Sequence, residues 1–236
     1  MGRLTRSDMQ AHCAELVRRD VAFREIVKAA PLCPFGRVRP LTTHFESLVR
    51  AVIAQQVSTA AARTITSRMR ELAGGDISAA TLTALTPTQL QSAGLTGAKV
   101  RSLVELSQTA AGGGINFRRI ARQSDDQIIA ELTAIYGIGV WTAQMFLMFQ
   151  LGRLDVWPTG DLAVRRGWDA LHSVIPRRGH ATSTQPRSRS TSAAQTHTPL
   201  VGAQSPGGVS ARELDRLGEA LTGIRSVASW YCWRAA

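Results

Sequence analysis

Residues 132–168 read LTAIYGIGVWTAQMFLMFQLGRLDVWPTGDLAVRRGW, and they restrict the chain more than any other stretch. Gly137 and Gly139 flank a single apolar residue, Ile138, between two apolar helical segments, so the chain must turn sharply there. Glycine is the residue that tolerates close backbone approach and positive φ in such a turn. The amides around Gly137 and Gly139, with those of Val140 and Thr142 at the start of the next helix, can converge on one phosphate oxygen. A single carboxylate, Asp161, follows. Two plainer readings stand beside this one: glycines that merely allow a bend between packed helices, and an aspartate that merely caps a helix. GIGVWTA also superficially matches a GxGxxA dinucleotide fingerprint, but that motif needs a preceding strand, and IIAELTAI has helical spacing.

The remaining chain is patterned for helices. Residues 8–29 carry apolar side chains at helical spacing and predict one broken or two short helices. PLCPFGRVRP, 31–40, is rich in proline and predicts a loop or extended crossing. HFESLVRAVIAQQ places Phe45, Leu48, Val49, Val52 and Ile53 on one helix face. Ser58 caps the next helix, which stops at Gly74 and Gly75. Ser78 and Thr86 are further caps, Pro87 suits a first turn, and Gly94 and Gly97 break the chain before a longer helix to about Ala111. Ser124 caps DDQIIAELTAI, and Ser210 with Glu213 forms a capping-box pattern. Period-two alternation of useful length is missing, so the expected class is all-α.

Residues 172–210 contain no acid and are rich in Ser, Thr, Pro, Arg and Gly. Such a composition cannot bury enough apolar surface to offset the entropy of ordering, and it predicts a disordered insertion. The expected organisation is a helical core over 1–171, the insertion over 172–210, and C-terminal helices over 211–236 that pack back on the core.

The formal charge of +11 rests almost entirely on arginine, with Lys28 and Lys99 as the lysines, and points to a polyanionic partner. Cys13, Cys33 and Cys232 have no CxxC spacing, which argues against a zinc site, an iron-sulfur cluster or a disulfide framework. Neither a signal peptide nor an apolar run of membrane-spanning length is visible, so a soluble, cytoplasmic protein is expected, nucleoid-associated in a prokaryote.

Taken with DVWPTGDLAVRRG, the segment IYGIGVWTAQMFLMF resembles the helix-hairpin-helix (HhH-GPD) DNA glycosylase superfamily, and within it the DNA-3-methyladenine glycosylase II family. HFESLVRAVIAQQVSTAAARTI, GLTGAKVRSLVELS and IRSVASWYCWR match further family segments in order. The likeness covers about residues 40–168 and 211–235, in the short form that lacks an N-terminal β-rich domain. It implies two helical lobes with the active-site cleft between them. Asp161 falls on the catalytic aspartate. Trp141 occupies the place of the Schiff-base lysine of bifunctional members, which implies hydrolysis without a lyase step. Trp141, Met145 and Trp157 fall on the base pocket, with Met145 where some relatives carry an aromatic residue. Gln55 and Gln56 fall where the family probes the duplex, Gln56 being the wedge, and Tyr136 stands where relatives often have proline.

The resemblance therefore implies a monomeric, monofunctional glycosylase of base excision repair. It would flip alkylated purines, of the 3-methyladenine and 7-methylguanine type, out of double-stranded DNA and hydrolyse the N-glycosidic bond. No cofactor or metal is required on this reading, and the family suggests a monovalent cation at the hairpin. The alternatives are a helix-hairpin-helix DNA-binding protein without catalysis and, less in keeping with Trp141, a bifunctional glycosylase and lyase.

Overall fold

Hydroxyl side chains set the helix boundaries. In the computed structural model, which describes residues 4–37, 40–173 and 209–236, eight helices begin on Ser or Thr whose Oγ accepts the amide three residues on. Each such cap contributes about 1 kcal/mol. Twelve α-helices result among the described residues, and no strand. The N-terminal pair is α1 (Arg6–Arg19) and α2 (Arg24–Ala29). The middle of the chain forms α3 (His44–Ala54), α4 (Thr59–Leu72), α5 (Ala79–Thr83), α6 (Pro87–Ser92), α7 (Gly97–Ala111), α8 (Asp125–Thr133) and α9 (Val140–Met145). The last three are α10 (Leu162–Ser173), α11 (Ala211–Gly218) and α12 (Arg225–Ala235).

These helices pack in two sets. In one, α7 packs against α3, α5 and α6, α4 pairs with α3, and α8 pairs with α9; in the other, α12 lies along α10 and also meets α1 and α2. A continuous apolar core links the sets, with Leu48, Ile53, Leu103 and Leu132 from one and Met9, Leu16, Phe23 and Tyr231 from the other. α10 and α12 approach so closely that a Cβ at Gly167 would lie 1.9 Å from the Cys232 carbonyl oxygen, so only glycine fits there. The three cysteines are free and buried, and burial pushes the Cys33 thiol up to about 12, which keeps it protonated and inert.

Three expectations need correction. Gly97 does not break the chain: it is the first residue of α7, which Thr96 caps, so the cap and not the glycine fixes the boundary. Ser210 caps α11 by accepting the Glu213 amide, but the return arm of a capping box does not form. The compositional boundary at 172 falls inside α10, whose last turn includes His172 and Ser173. His172 is held there by stacking on Trp168 at 4.1 Å and by a 2.8 Å contact with Asp20. The remainder of the expected insertion, 174–208, lies outside the described residues.

Candidate active site

The hairpin is the turn from α8 into α9. Ala134 ends α8, Ile138 is buried, and its N–H closes the turn onto the Ile135 carbonyl at 3.1 Å. The two glycines have different tasks. Gly137 has φ +79° and faces Ser102, whose Oγ would stand 2.2 Å from a Cβ. Gly139 has φ −91° and nothing within 4 Å of a would-be Cβ. No side chain caps α9, and its first internal bond runs from the Ala143 N–H to the Gly139 carbonyl. The amides of Val140, Trp141 and Thr142 precede that bond and need outside acceptors. They open the N-terminal end of α9, with Val140 exposed and the Thr142 side chain buried.

α9 passes into a π-helical turn, Phe146–Gln150, closed by the Leu151 N–H on the Phe146 carbonyl. The turn places Phe146, Leu147 and Met148 in the core and leaves Phe149 at the surface, stacked on Trp233 with ring centroids 5.8 Å apart.

Asp161 is the N-terminal cap of α10. Its Oδ1 accepts the N–H groups of Ala163 at 2.8 Å and Val164 at 3.1 Å. The other oxygen, Oδ2, accepts the indole N–H of Trp141 at 2.7 Å. Capping and chemistry are therefore not competing readings: the cap fixes one oxygen and aims the carboxylate across the junction between the helix sets, toward α9. Trp141 remains 50 % exposed, with its edge committed to Asp161. Met145, one turn further along α9, is half-buried against the core.

Trp157 is not an open pocket wall. It is 6 % exposed, donates its indole N–H to the Leu214 carbonyl at 2.8 Å, and meets Trp168 edge-on at 5.8 Å. A large aromatic side chain four residues before Asp161 reads the same in sequence whether it faces solvent or core, and here it pins α11 to the core.

The two glutamines also separate. Gln55 does not reach outward: its Nε2 donates to the Gly137 carbonyl at 3.0 Å and lies 3.4 Å from Thr142 Oγ1, tying the α3–α4 turn to the hairpin. Gln56 is exposed and has φ +56°, the one positive φ outside glycine among the described residues. Lys99 holds this turn from beneath. It is 9 % exposed, and its ammonium donates to the carbonyls of Ile53 at 2.8 Å and Gln55 at 2.7 Å. Burial pulls its pKa below the ordinary lysine value. The role of Lys99 was invisible from spacing, since it depends on α7 crossing the end of α3. Tyr136, in the expected proline position, is clamped instead: its N–H donates to Glu105 at 3.1 Å, and the Arg101 guanidinium lies 3.9 Å over its ring.

Among the described residues no cluster of His, Cys, Asp or Glu could hold a metal ion, and no helix is long and apolar enough to cross a membrane.

Comparison with known proteins agrees with this geometry. DNA-3-methyladenine glycosylase 1 of Schizosaccharomyces pombe is 34 % identical over 133 residues, covering 55 % of this chain and 58 % of that protein. The chain spans about half the length of the curated relatives it matches. Among solved structures, a DNA-3-methyladenine glycosidase from Bacillus halodurans superposes with a TM-score of 0.72 at 27 % identity, covering 95 % of this chain and 88 % of that one. The S. pombe 3-methyladenine DNA glycosylase in complex with abasic DNA shares the fold, with a TM-score of 0.71 at 24 % identity over 96 % and 95 % of the two chains. Residues 49–188 match the family described as HhH-GPD superfamily base excision DNA repair protein. With its uncapped hairpin amides and the Asp161 carboxylate set across from them, the chain belongs to the HhH-GPD superfamily.

Proposed function

We propose that this chain is a monofunctional DNA glycosylase of the 3-methyladenine II type, acting as a monomer on alkylated purines in double-stranded DNA. The observation that carries the reading is the Asp161 carboxylate, capped on Oδ1 and bonded on Oδ2 to a tryptophan that stands where a lyase would need an amine. The two lysines of the sequence support the monofunctional assignment. Lys99 is spent on the end of α3, and Lys28 pairs with Glu25 at 3.0 Å on α2.

On this reading the hairpin amides of Gly139, Val140 and Thr142 grip a backbone phosphate, Gln56 enters the duplex, and the extruded base meets Trp141 and Met145. Asp161 then stabilises positive charge developing on the deoxyribose and orients the attacking water. An alkylated purine is already a cationic leaving group, so a single carboxylate suffices. A monovalent cation is not needed for any step. Its donors would be the hairpin carbonyls of Ile135 and Gly137, each already accepting one hydrogen bond and keeping a second lone pair. Such an ion would add positive charge beside the phosphate.

Incubation with methylated duplex DNA should release 3-methyladenine or 7-methylguanine, and release no greater than a no-enzyme control would refute the assignment. Asp161→Asn keeps the capping oxygen and removes the charge. Its rate should fall by about 10²-fold or more while DNA binding survives, and normal turnover by that variant would remove Asp161 from the mechanism.

A further inference from the structure

A basic groove of about 370 Å³ runs along the outer seam of α3 and α4. Its α4 wall is built at helical spacing from Thr59, Ala62, Arg63, Thr66, Ser67 and Arg70, and Arg50 faces them from α3. Ala62 leaves the floor open, while hydroxyls and guanidiniums line the rim. Glu46 lies beneath, 6 % exposed, and anchors two of the arginines: Arg50 Nε donates to it at 2.9 Å, and Arg70 donates to the same oxygen. Arg70 is further fixed by donation to the Gly75 carbonyl at 3.1 Å. Arg63 is exposed and makes no hydrogen bond or ion pair among the described residues. Three arginines line the groove against two carboxylates, Glu46 beneath it and Glu71, which accepts from Ser67 at 3.3 Å, and leave it one net positive charge.

This groove opens onto the DNA-probing turn. Ala54 and Thr59, at its end, bracket the turn that carries Gln56 and that Gln55 ties to the hairpin. We propose that the Arg50–Arg63–Arg70 groove is a second phosphate-binding site, which takes a backbone phosphodiester of the duplex beyond the nucleotide that Gln56 displaces. A buried carboxylate pre-orients two guanidiniums without quenching them, and the third is unspent. That arrangement suits the anionic phosphodiester of a nucleic-acid backbone, because guanidinium forks match phosphate oxygens in geometry and charge. The contact carries no base specificity and acts through affinity and register. It rests on duplex DNA being the partner in the proposed function.

The test uses the full chain with Arg63→Gln, whose side chain has no structural partner to lose, and Arg24→Gln on α2 as a charge-matched control. Binding to a duplex carrying an abasic-site analogue is titrated between about 50 and 200 mM salt. Loss of one phosphate contact should weaken binding about threefold to tenfold and flatten the log Kd against log salt slope by about 0.9 for Arg63→Gln. The control should leave the slope within a third of that change. An unchanged slope for Arg63→Gln, or equal changes in both variants, would overturn the site in favour of diffuse charge. An RNA duplex whose affinity alone responds would overturn DNA as its occupant. The glycosylase reading fails separately: wild-type protein that binds this duplex but releases no alkylated base refutes the activity while the salt slopes still decide the groove.

Discussion

Replacing Gly137 by alanine tests whether the hairpin is built as described, and its cost can be worked from two contacts. The first is conformational: at φ +79° an L-residue with a Cβ costs about 1–2 kcal/mol relative to glycine. The second is steric. The new Cβ would stand 2.2 Å from Ser102 Oγ, so that hydroxyl must rotate away and surrender its 3.0 Å bond to the Ala98 carbonyl, worth about 1 kcal/mol. Gly137→Ala should therefore lose about 2–3 kcal/mol, or a fall in Tm of roughly 5–10 °C for a chain of this size. Urea denaturation followed by helical circular dichroism measures it. Ser102→Ala in the same chain relieves the clash but not the φ penalty, so the double variant should be more stable than the sum of singles by about 1 kcal/mol. Gly139→Ala should lie within about 0.5 kcal/mol of wild type, because its Cβ meets nothing. If the α9 amides take a phosphate as proposed, that same Cβ would stand in its approach, and DNA affinity should fall without loss of stability. A Gly137→Ala variant as stable as wild type, or a Gly139→Ala variant equally damaged, would refute this account of the turn.

Three further outcomes are expected. Trp141→Phe keeps the aromatic face but removes the donor to Asp161. A charge-assisted bond at a half-exposed site is worth about 1–2 kcal/mol, so single-turnover base release should slow about fivefold to thirtyfold, with a fall in Tm of roughly 2–8 °C; an unchanged rate would mean that the indole N–H does not position the carboxylate. Lys99→Met keeps the packed methylenes and strands the Ile53 and Gln55 carbonyls, so a loss of about 2–4 kcal/mol is expected in urea, and a cost under about 1 kcal/mol would dismiss Lys99 as the support of the turn. For the Asp20–His172 pair, burial opposes ionisation of both groups, yet their mutual contact wins: His172 is raised from 6.5 and Asp20 lowered from 3.8. The His172 contribution is complete below about pH 6.5 and disappears as pH rises through its raised pKa, whereas that of Asp20 is present above about pH 3.8 and disappears as pH falls through its lowered one. His172→Gln should therefore flatten the stability profile from about pH 6.5 upward, and a profile parallel to wild type there would exclude the pair as its source.

The sequence by itself determined the helices. Ser58, Ser78, Thr86 and Ser124 announced their caps, and Phe45, Leu48, Val49, Val52 and Ile53 announced the buried face of α3, because capping and periodicity are local properties. The same locality allowed Asp161, Trp141 and the hairpin glycines to be singled out from ordered motifs. Only the tertiary structure decided which of these residues face one another. Gln55 turned inward onto Gly137, Trp157 sank beneath α11, and Lys99 closed over the end of α3, since each fate depends on a crossing between helices distant in the chain. The bond from Trp141 to Asp161 joins two helix sets twenty residues apart in sequence, and helical spacing within either one carries no trace of it.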